Sequence, residues 1–443
     1  MEGLELLASL VRIASVNPPG DGEGEVADLL REPLDAAGLD TEVLVSPQGR
    51  PSLIARLDGP TDRPPLVLLS HSDVVPVEED RWTHDPFGGE VHDGQLWGRG
   101  SLDMKSVAVL HTQAAVALAT GGATPEREVL VVLVADEEAG GAEGAEWLVD
   151  HHPVRVGFRD TAPPPEVLGE GGFGLAGVLD RPLMPIVVGE KSPLWLRASA
   201  TGDAGHGSLP PADQAIAGLV RFITAVSGPR PARLHPVMRD QFAALAGVAT
   251  GTQRRAFQLL AGPAGAAAVR VLAPRIRATS AVLGHLLADT VTPTQVRAGY
   301  KHNVVPGSAE VTFDARLLPD TDVDALLSWL SDVGERHGVT VAAEQRWSSP
   351  VSPRGDLFDL LTDVSAALPD GPLPVASLTP GVTDLRFFRR RGATAYGWVP
   401  LVLTPEQVAT FHGADERVPV EQFERASTAM TDAVHRAATR PGT

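Results

Sequence analysis

Five residues of this chain have the chemistry and the local settings of metal ligands. They are two histidines and three acids: His71, Asp103, Glu138, Glu170 and His412. Imidazole nitrogens and carboxylate oxygens, without any thiolate, are typical ligands of zinc, manganese or cobalt in hydrolytic sites. The set therefore predicts a two-metal hydrolase, which is a class of reaction and not merely a fold.

Two of these residues come after apolar runs that are typical of strands buried on both faces. His71 follows LVLLS at 66–70, and Glu138 comes shortly after VLVVLVA at 129–135. In open α/β sheets ligands gather at the carboxyl ends of strands, and His71 is the first residue past one. Asp73 in HSDVVP is then expected to fix the tautomer of His71. The alternative is a capping His–Asp pair on a loop.

The acids also have plain structural alternatives. Asp103 in GRGSLDMK precedes an apolar helix, where an N-cap worth about 1 kcal/mol would explain it. The string ADEEAGG puts three acids at the end of a buried strand, where like charges repel and burial raises the cost. A metal pair would compensate them, whereas the alternative is an exposed loop near a helix N-terminus. With Glu138 as a ligand, Glu137 is free to act as a general base. Glu170 and His412 carry little weight singly.

Four further polar residues are candidates for contacts with a substrate. His206 lies in the glycine-rich string GDAGHGS, which either leaves its imidazole free to reach a ligand or forms a structural turn. Arg316 in FDARLLP is either a surface residue of a strand or the fork that binds a substrate carboxylate. Asn303 in NVVPG and Asp384 in GVTDLR are ordinary by themselves.

Strands that alternate with helices predict an α/β layer architecture. We predict a catalytic domain in two parts, 1–191 and 347–443, with a mixed, mostly parallel sheet between helices. Between them, half-exposed strand patterns flank a mostly helical stretch at 228–290. These patterns predict an inserted α+β lid or dimerisation domain at 192–346.

Composition limits the classes of function. The formal net charge of −19 argues against nucleic acid or an anionic membrane as a partner. The absence of cysteine excludes disulfides and thiolate zinc sites. The first residues carry acids where a secretory signal would have bases. The longest uncharged stretch, 106–125, contains polar residues and glycines and is read as a buried helix and its exit. We therefore expect a soluble cytoplasmic protein.

The motifs, in this order, resemble the dizinc peptidase family of aminoacylases, carboxypeptidases, acetylornithine deacetylases and succinyl-diaminopimelate desuccinylases. The resemblance covers nearly the whole chain and rests on HSDVVP, GRGSLDMK, DEEAGG, EGG, GHGS, NVVPG, DARLLP, TD and FHGADE. The helical stretch at 228–290 makes the chain most similar to the carboxypeptidase S and N-acyl-amino-acid hydrolase branch.

This resemblance implies a ligand set for two zinc ions, with manganese or cobalt as alternatives. Asp103 would bridge the ions. His71 and Glu170 would complete one ion, and Glu138 and His412 the other. Family structures also imply a non-proline cis peptide bond directly after Asp103.

The resemblance implies catalytic and binding roles as well. Glu137 would be the base, and His206 would come from the lid domain, in many relatives from the other subunit of a homodimer. Three residues would shape the substrate pocket, with the first two holding a free carboxylate: Asn303, Arg316 and Asp384.

The implied reaction is the hydrolysis of an amide or peptide bond next to a free carboxylate, by a metal-bridged water that Glu137 deprotonates. The substrate would be a small peptide or an N-acyl amino acid, and the enzyme a carboxypeptidase, a dipeptidase or a deacylase. Two alternatives stay open. A dimetal site also suits phosphoesters, although no phosphate-cradling glycine loop is seen. A catalytically inactive regulatory or binding protein could share the fold.

Overall fold

Helices and strands alternate along the computed structural model, which describes residues 3–160, 162–177 and 179–440. The helices, α1 to α14 in chain order, are Gly3–Val11, Glu23–Ala36, Lys105–Thr120, Ala145–His151, Ala215–Val226, Pro236–Val248, Gly251–Ala261, Gly265–Thr279, Ala281–His285, Val323–Arg336, Asp356–Ala366, Leu385–Arg390, Pro405–Val408 and Val420–Thr439. The strands, β1 to β18, are Asp40–Val45, Pro51–Leu57, Leu66–His71, Glu90–His92, Gln95–Trp97, Val129–Val134, Glu166–Leu175, Leu183–Glu190, Ser192–Thr201, Gly205–His206, Gly228–Pro229, Thr290–Ala298, Val304–Val305, Ser308–Leu317, Val339–Arg346, Leu373–Thr379, Thr394–Leu403 and Arg417–Pro419.

The chain divides into two compact units. The first comprises 1–189, 351–377 and 383–443, and the second comprises 190–350 and 378–382. The second unit is thus inserted into the first along the chain.

A mixed sheet of eight strands forms the centre of the first unit, in the order β1-β2-β6-β3-β7-β17-β8-β16. Its central pairs, β6–β3, β3–β7 and β7–β17, are parallel. The pairs β1–β2, β2–β6 and β17–β8 are antiparallel. Every residue of β3 and β6 is buried, as their unbroken apolar runs predict for strands covered on both faces. The predicted mixed sheet between helices is confirmed.

Helix α3 lies in the interior of this unit. It is apolar on nearly all sides, and it packs against α1, α2, α14 and the strands β3 and β6. A helix without a polar face belongs in an interior. The uncharged stretch 106–125 is therefore a buried helix and its exit, as predicted. Across the part of the chain that the structure describes, no helix combines the length and the apolar character that crossing a bilayer requires.

A small three-stranded sheet, β18-β5-β4, joins two distant motifs of the first unit. The strands β4 and β5 form a hairpin, and its turn residues Asp93 and Gly94 both have positive φ. Strand β18 then pairs with β5, opposing Val418 to Leu96. Because β18 follows His412 closely in the chain, this pairing brings the FHGADE string next to GRGSLDMK.

The second unit is built on a five-stranded antiparallel sheet, in the order β11-β12-β14-β9-β15. Alternate residues of β14 are buried, which is the period of a sheet with one covered face. Helices α5 and α10 supply the cover, and their apolar residues share one core with those of β9 and β14. The stretch at 228–290 forms α6 to α9, so its predicted helical character is confirmed.

Candidate metal centre

All five predicted ligands lie in the first unit, where the fold brings them to one edge of the large sheet. His71 ends β3, Glu170 lies in the neighbouring β7, and Glu138 lies in a short 3₁₀ turn after β6. Because β6, β3 and β7 are parallel neighbours, their carboxyl ends meet at the same edge. Asp103 comes directly before α3, and His412 lies in the loop between α13 and β18.

Asp103 connects two sets of donor atoms. Its Oδ1 is 3.3 Å from Nε2 of His71, whose Nε2 is 3.7 Å from Oε2 of Glu170. Its Oδ2 is 3.1 Å from Nε2 of His412, whose Nε2 is 3.3 Å from Oε2 of Glu138. Within each set of three residues, one donor atom from each lies within 4.8 Å of the others. One carboxylate thus offers a separate oxygen to each set, which is the geometry of a bridging ligand. The peptide bond after Asp103 is cis, as predicted.

Nearby positive charge would stabilise the carboxylates of this cluster. Burial raises the pKa of Glu170 to about 7, against the lowering effect of His71. Hydrogen bonds to Asp103 and Glu138 raise the pKa of His412 to about 10. Glu138 Oε1 is buried and has no hydrogen-bond partner among the described residues. Carboxylates that repel one another beside two imidazoles, with one buried oxygen unpaired, fit divalent cations.

Asp73 contacts one residue of each donor set. Nδ1 of His71 donates to the backbone carbonyl of Asp73 over 2.9 Å and lies 3.4 Å from its Oδ1. With the proton on Nδ1, Nε2 is free to bind a metal. The Asp73 carboxylate also accepts from the backbone N–H groups of Glu137 and Glu138, over 3.2 and 3.0 Å. Asp73 thus sits where the sequence predicts it and makes more contacts than predicted.

The Glu137 side chain lies at the edge of the ligand cluster, next to other groups of the protein. One of its carboxylate oxygens is within 4.8 Å of donor atoms of His71 and Glu138. Burial and the charge of Glu170 raise the pKa of Glu137 well above its ordinary value. A carboxylate with a raised pKa takes up a proton readily near neutral pH, which is what a general base requires.

Asp384 also belongs to this region. It is 3 % exposed, and neither carboxylate oxygen has a hydrogen-bond partner in the described part of the chain. It lines a small cavity that His71 and Glu170 also line. Burial raises the pKa of Asp384 to about 8, against the lowering effect of Arg386. The carboxylate therefore lies beside two of the predicted ligands and is closed off from bulk solvent.

Glu416 is a site residue that sequence reasoning missed. Its buried carboxylate accepts from the backbone N–H groups of Leu102 and Asp103, over 2.7 and 3.1 Å. The Arg99 guanidinium donates to it over 2.5 Å. Glu416 thereby fixes the backbone at Leu102 and Asp103. Its position in FHGADE was the only signal in the sequence, and that position does not distinguish a buried acid from a surface acid.

The second unit contains the other predicted residues. His206 in β10 opposes Val304 in β13, and the backbone N–H of Gly207 donates to the carbonyl of Asn303, so the two predicted residues are neighbours. Nδ1 of the exposed His206 accepts from the backbone N–H of Ser208 over 3.2 Å. Nδ1 also lies 2.7 Å from the Ser208 hydroxyl, so Ser208 occupies this side of the ring and Nε2 is left to face a ligand.

Arg316 is remote from this corner. Its Nε donates to both carboxylate oxygens of Asp314, over 2.9 and 3.0 Å. Arg316 lies near one end of β14, whereas the His206–Asn303 corner adjoins Ser308 at the other end. Eight residues of strand span about 26 Å. Within one copy of this unit, Arg316 and Asn303 are too far apart to hold the same carboxylate.

The fold and the paired donor sets define a metal-dependent hydrolase. The profile of peptidase family M20/M25/M40 matches residues 67–436, which is most of the chain, and the protein belongs to this family. Pig aminoacylase-1 is 30 % identical over 437 residues, covering 95 % of this chain and 91 % of the relative.

Solved structures share the fold. A metallo-carboxypeptidase of the same family from Sulfolobus solfataricus superposes with a TM-score of 0.74 at 16 % identity, covering 98 % of this chain and 99 % of that one. A dinuclear metal-binding peptidase from Bacillus subtilis gives a TM-score of 0.61 at 15 % identity, covering 98 % and 97 %. The predicted family and the predicted metal-dependent hydrolysis of a C–N bond are confirmed.

Proposed function

We propose that the protein hydrolyses the amide bond of a small peptide or an N-acyl amino acid, next to a free carboxylate, with two zinc ions. The observation that carries this proposal is the Asp103 carboxylate, which offers one oxygen to each set of donor atoms. The similarity to an aminoacylase along 95 % of the chain supports an acyl amino acid as substrate. Manganese or cobalt would fit the same donors.

The ligand roles follow from the two donor sets. Asp103 is the shared ligand, His71 and Glu170 complete one set, and Glu138 and His412 complete the other. A bound pair of divalent cations supplies Lewis-acid activation of a water molecule and of the scissile carbonyl.

The residues of the chain then handle the proton and the substrate. Glu137 accepts the proton of the attacking water and passes it to the leaving amine, as its raised pKa allows. Nε2 of His206 is the proposed donor to the developing oxyanion. Asp73 keeps the His71 ring in its tautomer. The buried Asp384 is proposed to shape the pocket through the neighbouring ligands.

We propose that the segment 192–346, which makes up most of the second unit, is a lid and dimerisation domain and that the protein is a homodimer. The separation of Arg316 from His206 and Asn303 supports this, because two copies could supply the two groups to one substrate. Arg316 would bind the carboxylate with the guanidinium edge that Asp314 leaves open. A cytoplasmic location is proposed on composition alone.

A substrate panel tests the proposed reaction. Zinc- and manganese-loaded protein is incubated with N-acyl amino acids, dipeptides, larger peptides and generic phosphoesters, and products are identified by mass spectrometry. We expect cleavage of an amide next to a free carboxylate and none with the Glu137→Gln variant. Cleavage of phosphoesters alone, or of no compound by protein that holds two metal ions, would contradict the proposal.

Complementation tests the homodimer. Mixed dimers of His206→Ala and Glu137→Gln chains contain one centre with an intact base and an intact histidine from the other chain. Partial recovery of activity is expected. Proven mixed dimers that stay inactive would assign His206 to the centre of its own chain.

A further inference from the structure

We propose that Asn17 is a positioning residue of the metal centre, and that the buried Arg50–Glu23 ion pair holds Asn17 in place. This inference rests on the proposed function, because it concerns the metal affinity and turnover of the same centre. Neither Asn17 nor the ion pair reaches a predicted ligand directly. Their effect would pass through Asp73 and Asp136.

Asn17 joins two buried carboxylates. Its Nδ2 donates to Asp73 Oδ2 over 2.8 Å and to Asp136 Oδ1 over 3.2 Å. The side chain is 3 % exposed, so both protons of the amide are used inside the protein. The backbone N–H of Asn17 donates to the carbonyl of Val74 over 2.9 Å, which anchors the segment beside Asp73. Asn17 thus supplies hydrogen bonds to two acids whose charges would otherwise repel.

Both acids control the turn that carries the base. Asp73 accepts from the backbone N–H groups of Glu137 and Glu138. Asp136 precedes them with a φ of 68° and accepts from the N–H of Glu143 through Oδ2 over 3.0 Å. A change in the rotation of either carboxylate would therefore shift one ligand and the base together.

The Arg50–Glu23 pair fixes the other side of Asn17. Arg50 binds both oxygens of Glu23, with Nε at 2.7 Å and Nη2 at 2.5 Å. Its Nη1 donates to the carbonyl oxygen of the Asn17 side chain over 3.3 Å, which leaves Nδ2 for the acids. Glu23 also accepts from the backbone N–H of Asp136 over 3.1 Å. The pair therefore supports Asn17 and Asp136 at once.

Replacement of Asn17 by alanine removes both amide donors and leaves all predicted ligands in the chain. Partners that hold metal ligands typically change metal affinity or activity by about 10- to 100-fold when they are lost. Asn17 acts one contact further out, through Asp73 and Asp136, so for Asn17→Ala we expect weaker binding of the more weakly held zinc ion and a lower kcat, each by about 10-fold, the lower end of that range. KM should stay nearly unchanged, because no proposed substrate contact is altered.

A matched pair of arginines separates positioning from plain stabilisation. Arg50 directly precedes β2 and pairs with the buried Glu23. Arg56 lies in β2 and pairs with the buried Glu128. Their side chains are 13 % and 17 % exposed, so the two arginines are buried to a similar degree. Arg50→Lys keeps the charge but loses the two-pronged contact and the bond to Asn17. Arg56→Lys replaces an arginine that binds Glu128 through Nη1 alone, away from the Asn17 network, and Arg159 also binds Glu128.

The readouts are zinc affinity by competition with a chromogenic chelator, the visible absorption spectrum of the cobalt-loaded protein, kcat and KM, and the unfolding midpoint. Asn17→Ala and Arg50→Lys should weaken zinc binding and alter the cobalt spectrum, whereas Arg56→Lys should change only the unfolding midpoint. If the two lysine variants behave alike, or if Asn17→Ala binds zinc and cobalt like the parent, the inference is wrong. If Asn17→Ala does not fold, the comparison of Arg50→Lys with Arg56→Lys tests the inference.

The same data keep this inference apart from the proposed function. A parent protein that binds no metal pair or cleaves no amide would overturn the proposed function. A parent that binds two ions and cleaves amides, with unaffected Asn17→Ala and Arg50→Lys variants, would overturn the positioning role alone.

Discussion

A buried histidine outside the metal centre should make folding sensitive to acid. His111 lies in α3 with no exposed surface, and neither ring nitrogen has a hydrogen-bond partner among the described residues. Burial lowers the pKa of His111 to about 3 from an ordinary 6.5. The folded protein therefore keeps this ring neutral in a range where the unfolded chain binds a proton.

The sign and size of the effect follow from proton linkage. Because the pKa of His111 is lower in the folded state, its contribution is fully present above pH 6.5 and is lost as the pH falls towards 3. The slope approaches about 1.4 kcal/mol per pH unit. Between pH 7 and pH 5 the loss from this single ring should be about 2 kcal/mol.

Urea unfolding at pH 7 and pH 5, at one fixed zinc concentration, measures this loss. His111→Leu fills the apolar site with a group that does not titrate, so its stability should fall by about 2 kcal/mol less than that of the parent over this interval. His435→Gln, on the exposed side of α14, serves as the control and should match the parent. If His111→Leu shows the parent's full pH dependence, the buried neutral ring is not the cause.

Three further outcomes are expected. Glu137→Gln should keep both metal ions by elemental analysis and lose activity by at least about 100-fold, and a fully active variant would exclude Glu137 as the base. Glu416→Gln leaves the buried Arg99 without its charge partner and should lower the free energy of unfolding by about 3 kcal/mol or more in urea, whereas an unchanged value would contradict the pairing described here. Removal of metal with a chelator should abolish hydrolysis, and zinc, manganese or cobalt should restore it; activity in metal-free protein would refute the metal dependence.

Part of the site could be predicted from local sequence. The apolar runs before His71 and Glu138 are long enough to be buried strands, and parallel strands end at one edge. Two ligands could therefore be placed near each other from pattern alone. The mixed sheet and the helical stretch at 228–290 followed from the same kind of pattern.

The rest depends on tertiary contacts that leave no local trace. Asp103 and His412 meet because β18 pairs with β5 and because Glu416 accepts from the backbone around Asp103. No periodicity links positions that far apart in the chain. Asn17 and Arg50 were missed for the same reason, since their settings resemble ordinary loops until the network is folded.

The most direct test of the two-metal centre is the metal content of the purified protein after zinc loading and dialysis. The geometry predicts two ions per chain, one ion in His412→Ala, and neither ion held tightly in Asp103→Ala, because Asp103 alone serves both sets of donors. One ion or none in the parent protein, or two ions in Asp103→Ala, would contradict the account.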